Sequence, residues 1–199
     1  MKRQEAFTLI ELLIVISLVA LVGGALYSMF ASAVDLMRRT SRSVVAEDVS
    51  IFLEKWDRDV ANQVVFRGIP FEGMEDAVSF PASIGVGEED SMDKGIGRVS
   101  FFFDKSHKTI ERRQENLAQI YEEAEVDSRP VLKGVLRARF QYFVYDKIEE
   151  IFFWADEWNS LEKENAIPVA VQVKFECEAG EDRYEFERTT AIPIAESTR

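Results

Sequence analysis

The spacing of apolar and polar positions changes twice along this chain, and each change predicts a different kind of element. From Leu12 to Phe30 the sequence is apolar apart from small or mildly polar residues such as Ser17, Gly23, Gly24 and Ser28. At about 1.5 Å per residue this run makes a helix of roughly 28 Å, close to the ~30 Å hydrocarbon core of a bilayer. Val45, Val49, Phe52, Trp56, Val60 and Val64 then recur at steps of three and four, the stripe of an amphipathic helix. Together these patterns predict one helix from about Phe7 to Val65, roughly 85–90 Å long. Arg67-Gly68 and Pro70 are read as its stop.

Beyond that point the period shortens to two. Ala77–Phe80 is a short predicted strand, and Arg98–Phe103 a stronger one. The turn Asp104-Lys105-Ser106-His107 pairs the second with Thr109–Arg113. Gln114–Glu125 reads as a short helix or a loop, and the aromatic run Val135–Tyr145 as a strand. Val169, Val171, Val173, Phe175 and Cys177 alternate with polar neighbours, the mark of a half-buried strand. A turn at Ala179–Asp182 leads into a matching strand, Arg183–Thr190, and Ile192-Pro193-Ile194 closes the domain. A long helix followed by strands predicts an α+β fold, the helix stripe lying on a mostly antiparallel sheet. The domain reading is residues 1–6 as a leader, 7–34 as a transmembrane helix half, 35–66 as an amphipathic half and 67–199 as the sheet domain.

Composition narrows the partners. Against 24 Lys and Arg stand 36 Asp and Glu, a formal net charge of -12. Such a balance repels phosphate backbones and argues against nucleic acid as a partner. One cysteine, Cys177, allows no intrachain disulfide, so the fold rests on its core. Its place beside Val173 and Phe175 reads as a buried, inert thiol.

Glu11 is the anomaly of the N-terminal segment. A carboxylate in an apolar medium costs several kcal/mol unless it is paired or protonated. Lys2 and Arg3 before the run place the N-terminus on the cytoplasmic side. A cut between Ala6 and Phe7 would create an amine four residues before Glu11. In a stack of helices, Glu11 of one subunit could then meet the amine of the next and be neutralised only on assembly. Two other readings compete: a secretory signal peptide cleaved after Ala31-Ser32-Ala33, and a plain single-pass anchor. The apolar run exceeds the usual signal-peptide core of about 7–15 residues, and neither alternative explains Glu11.

The stretch Phe7-Thr8-Leu9-Ile10-Glu11-Leu12-Leu13, with the apolar helix behind it, resembles the N-terminus of type IV pilins and type II secretion pseudopilins. That resemblance implies removal of residues 1–6 by a prepilin peptidase, methylation of Phe7 and an assembly role for Glu11. The family usually has glycine where this chain has Ala6. Further on, "VLKGVLRARFQYFVYD", "FFWADEW", "IPVAVQVKFE" and "RTTAIPI" follow one another as in the J-type minor pseudopilin of type II secretion. "SIFLEKWDRDVANQ" is similar to that family's second helix half. The resemblance implies a structural subunit at the tip of a short pseudopilus in the inner membrane, with its sheet domain in the periplasm. Implied partners are I- and K-type minor pseudopilins, the major pseudopilin and exported protein. A minor pilin of a type IV pilus or competence system is a neighbouring reading, and a membrane-tethered periplasmic enzyme or ligand-binding domain a distant one.

Other constellations carry little. Ser91-Met92-Asp93-Lys94 has the S-x-x-K spacing of serine acyl enzymes without a companion motif. His107, the only histidine, reads as a solvated turn residue rather than a catalytic base. Glu88, Glu89, Asp90 and Asp93 could offer oxygens to calcium, but their spacing is not that of an EF-hand, so a solvated acidic loop is expected. Trp154 and Trp158 are read as core residues or as a partner-binding platform. No catalytic residue, cofactor site or metal site is assigned.

Overall fold

The structure is a computed structural model that describes residues 9–85, 94–146, 149–163, 166–179 and 182–198. A helix, α1 (Leu9–Ala61), comes first. The chain falls into two compact units whose boundary lies within this helix, between Ser43 and Val44. In the first unit the window Leu9–Leu36 has a mean hydropathy of 2.6 and none of it is buried. Its leucines, isoleucines and valines are exposed all round the helix, as on a segment whose medium is lipid or another helix. Ser17 Oγ donates to the Leu13 carbonyl at 2.8 Å and Ser32 Oγ to the Ser28 carbonyl at 2.9 Å. Both hydroxyls are thereby satisfied within the helix, which lets them sit in an apolar segment at low cost.

In the second unit the C-terminal part of α1 carries the predicted stripe: Val49, Phe52, Trp56 and Val60 are buried. The helix ends at Ala61, four residues before the expected Val65. The reason is a competing partner. Gln63 bridges Ala82, and the Val64 N–H donates to the Pro81 carbonyl at 3.0 Å. The β-branched pair Val64-Val65 is a weak helix former and a good strand neighbour. Arg67, Gly68 and Pro70 therefore lie beyond a helix that has already stopped.

Among the described residues ten strands follow: β1 (Glu72–Gly73), β2 (Ala77–Gly85), β3 (Lys94–Asp104), β4 (Thr109–Asn116), β5 (Arg129–Lys133), β6 (Val135–Asp146), β7 (Ile151–Ala155), β8 (Trp158–Asn159), β9 (Ala170–Ala179) and β10 (Asp182–Ala191). Every ladder among them is antiparallel. They form two sheets: a six-stranded one ordered β5-β4-β3-β2-β1-β8 and a four-stranded one ordered β10-β9-β6-β7. The expected hairpins are present, with Asp104 opposite Thr109 and Asp182 opposite Ala179. The ambiguous Gln114–Glu125 divides, its first three residues ending β4 and Leu117–Tyr121 forming α2. Asn116 caps α2 in a capping box with Gln119. The arrangement is α+β and pilin-like: a long N-terminal apolar helix followed by an antiparallel sheet domain.

The stripe of α1 seats where the two sheets meet. The Phe52 ring lies 6.4 Å from Phe101 on β3 and 5.4 Å from Phe175 on β9. Trp56 lies 5.1 Å from Phe101 and 5.7 Å from Phe140 on β6. Polar groups flanking the stripe fix its rotation. The Arg112 guanidinium grips Asp59 through Nε at 2.6 Å and Nη2 at 3.2 Å. On the other side Arg188 grips Asp57, Thr190 Oγ1 donates to Asp57 at 2.6 Å, and Trp56 Nε1 donates to Thr190 at 3.0 Å. One turn of helix is thus tied to β4 of the first sheet and to β10 of the second.

A second junction lies at Tyr142. Its hydroxyl reaches the carbonyls of Met74 and Ala77 at 2.8 and 2.9 Å, joining β6 to the turn between β1 and β2. A Cβ at Gly73 would fall on the Tyr142 ring, so this position requires glycine for the close approach. Burial drives the phenol pKa far upward, keeping the hydroxyl protonated as a donor.

Candidate processing and assembly site

The N-terminal motif supplies the candidate site. Ala6 and Phe7, between which cleavage is expected, lie outside the described residues. Glu11 is described; it stands in the first turn of α1 and is exposed. Acids favour this end of a helix, where backbone N–H groups are still unpartnered. By helical spacing Glu11 shares a face with Ile14, Val15, Leu18 and Val22, all exposed aliphatics. The carboxylate therefore heads an apolar ridge. Farther along, Gly23 and Gly24 are helical, and a Cβ at either would meet nothing in this chain within 4 Å. Packing within the chain does not require these glycines, which leaves them available for close approach by another helix.

The remaining sequence candidates separate cleanly. The acidic residues Glu88, Glu89, Asp90 and Asp93, and Ser91 of the S-x-x-K spacing, lie outside the described residues. Lys94 opens β3 and is exposed. His107 sits in the turn after β3, with Nδ1 2.7 Å from Asp104 Oδ2. Its pKa is raised, first by the hydrogen bond to Asp104 and then by that carboxylate's charge. Among the described residues its ring partner is that carboxylate. Cys177 is buried, and burial, followed by the charge of Glu176, pushes its thiol up to about 11.

The two tryptophans part company. Trp158 is half-buried against the core and donates to the Ala166 carbonyl at 2.9 Å. Trp154 is exposed on β7, its ring tilted against Phe143 at 4.9 Å. Phe143, Tyr145 and Phe152 join it on one face, a cluster the sequence reading did not assemble. The signal was present: Phe143 and Tyr145 share a parity in β6, as do Phe152 and Trp154 in β7. The hairpin that superimposes them was not predicted.

A membrane-length apolar helix with an acid in its first turn, followed by an antiparallel sheet domain, is a pilin-like arrangement, and the helix is consistent with a single-pass membrane anchor. Residues 1–27 match the prokaryotic N-terminal methylation motif. That match supports a type IV pilin-like protein, and implies processing by a prepilin peptidase and assembly into a pilus-like structure. No curated protein matches the chain.

Proposed function

We propose that this chain is a minor pseudopilin of type II secretion, a structural subunit at the tip of a short pseudopilus. The observation that carries the reading is the methylation motif lying directly on a helix whose apolar surface is exposed along its whole membrane-length window. Cleavage between Ala6 and Phe7, and methylation of Phe7, release a subunit held in the inner membrane by α1, with its sheet domain in the periplasm. Glu11 is then neutralised by the N-terminal amine of a neighbouring subunit. The chain does no chemistry of its own; helix packing and charge pairing start the assembly, with I- and K-type minor subunits, the major subunit and exported protein as partners.

The J-type assignment is supported by the order of four segments. The aromatic run Val135–Tyr145 lies in β6, "FFWADEW" spans β7 and enters β8, and "IPVAVQVKFE" leads into β9. The closing "RTTAIPI" ends β10. Mass spectrometry of the mature N-terminus from native cells tests the reading. A chain beginning at methylated Phe7 is expected. A start at Val34, or an intact Met1 in assembled filaments, overturns it.

A further inference from the structure

β7 is the last strand of the four-stranded sheet, with β6 as its one ladder partner among the described residues. Its sequence, Ile-Phe-Phe-Trp-Ala, is the opposite of what a protected edge carries, since edge strands are ordinarily blunted by lysine, proline or bulges. Ile151, Phe152, Phe153 and Trp154 are 52%, 46%, 40% and 41% exposed. The pairing sets two faces. Phe152 and Trp154 stand opposite Tyr145 and Phe143 on the outer face, with Phe152 stacked 5.3 Å from Phe143 and tilted against Tyr145 at 4.8 Å. Ile151 and Phe153 lie on the other face, opposite Asp146 and the buried Val144. Both faces of the strand thus offer apolar surface, beside a row of backbone donors and acceptors.

The charges around this edge select its occupant. Glu149 and Glu150 precede β7, Asp156 and Glu157 follow it, and all four are exposed. Among the described residues Arg139 is a nearby cation, and it is engaged by Glu75 at 3.2 Å and Asp156 at 2.9 Å; Lys147, in the connection from β6 to β7, lies outside the described residues. A bilayer carrying anionic lipid is repelled by such a rim. A second copy is disfavoured too: antiparallel self-pairing centred on Phe153 sets Glu150 against Asp156 and Glu149 against Glu157, like charges directly opposite.

We propose that the outer edge of β7 receives an extended segment of another polypeptide by strand addition, with alternating apolar residues flanked by Lys or Arg. The added backbone completes the ladder, its side chains extend the aromatic face, and its basic flanks answer the acids at both ends of β7. The proposal is independent of the N-terminal processing and would stand if the pseudopilin reading fell.

The test uses the full chain in zwitterionic micelles and two fluorescent peptides. Both have the same alternating Val and Thr core; one is flanked by lysines, the other by glutamates. The lysine-flanked peptide is expected to bind at least about tenfold more tightly at low salt, a difference of about 1.4 kcal/mol. Glu149→Lys with Glu157→Lys reverses that preference. Phe153→Lys, an inward charge of the kind that blocks natural edges, removes binding of both. The charge-reversed variant alters only exposed side chains, so the test survives if Phe153→Lys does not fold, which circular dichroism reports. No binding, equal binding of the two peptides, or a preference untouched by charge reversal overturns the proposal. Displacement of the peptide by anionic vesicles would assign the edge to lipid, and peptide-insensitive dimerisation abolished by Phe153→Lys would assign it to a second copy; either result also overturns it.

Discussion

His107 stands 2.7 Å from the Asp104 carboxylate in an exposed turn, and it is the only histidine in the chain. Asp104 also accepts the backbone N–H groups of Ser106 and His107, at 2.8 and 3.0 Å, so the turn is organised around one carboxylate. Its own pKa is lowered, chiefly by the His107 side chain. The sign for His107 follows from a folded-state pKa above the ordinary 6.5. Its contribution to stability is full below 6.5 and is lost as pH rises through the folded value. Nuclear magnetic resonance of the single imidazole should therefore give a titration midpoint above 6.5, and Asp104→Asn should return it toward 6.5. A midpoint indifferent to that substitution would show that the pair does not persist in solution. At this scale the sequence revealed the residue and its turn; the pairing depended on a rotamer that spacing cannot show.

Among the elements, the second part of α1 is held by two ion pairs of unequal depth. The Asp59 and Arg112 side chains are 13% and 14% exposed, whereas Asp57 and Arg188 are 29% and 50% exposed. Asp57 has a lowered pKa: burial opposes its charge, and the hydrogen bonds from Arg188 and Thr190 outweigh that. Removing one partner of a largely buried pair strands the other away from water, at a cost of roughly 3 kcal/mol. A solvent-screened pair is worth about 1 kcal/mol or less. Urea unfolding of the full chain in micelles should show Asp59→Ala losing about three times the stability lost by Asp57→Ala. Equal losses would mean that the Arg112 pair is no more sheltered than the other. The hydrophobic stripe Val49, Phe52, Trp56 and Val60 was legible because period alone specifies a helix face. The strands β3, β4, β6, β9 and β10 were legible for the same reason. What escaped was β1 and β8, two residues each and too short to show a period, together with β5 and β7, of five residues each, where β5 carries a proline and β7 an unbroken apolar run in place of alternation. The helix end escaped as well, since it is set by Ala82, a residue distant in sequence.

For the whole molecule, the division of labour is between a helix whose apolar surface is left uncovered and a domain that buries its own core. Glu11→Ala should leave thermal unfolding of the sheet domain unchanged while removing co-purification with other subunits of the assembly. Undiminished co-purification would show that the carboxylate has no part in assembly. The fold class and the motif around Glu11 could be read from the chain because one depends on periodicity and the other on local order. The aromatic edge could not, because it exists only once β6 and β7 are laid side by side. One feature of the connectivity also bears on how the protein is made. After two strands of the smaller sheet, the chain returns to the larger one to place Trp158-Asn159 against Glu72-Gly73, and Ser160 exchanges hydrogen bonds with Phe71. A polypeptide delivered amino end first cannot seal that seam at Glu72-Gly73 until Trp158-Asn159 has arrived. Closing such a long loop is slow. The larger sheet is therefore closed on one edge only by residues that follow two strands of the smaller one, so neither sheet can be completed before the other has begun.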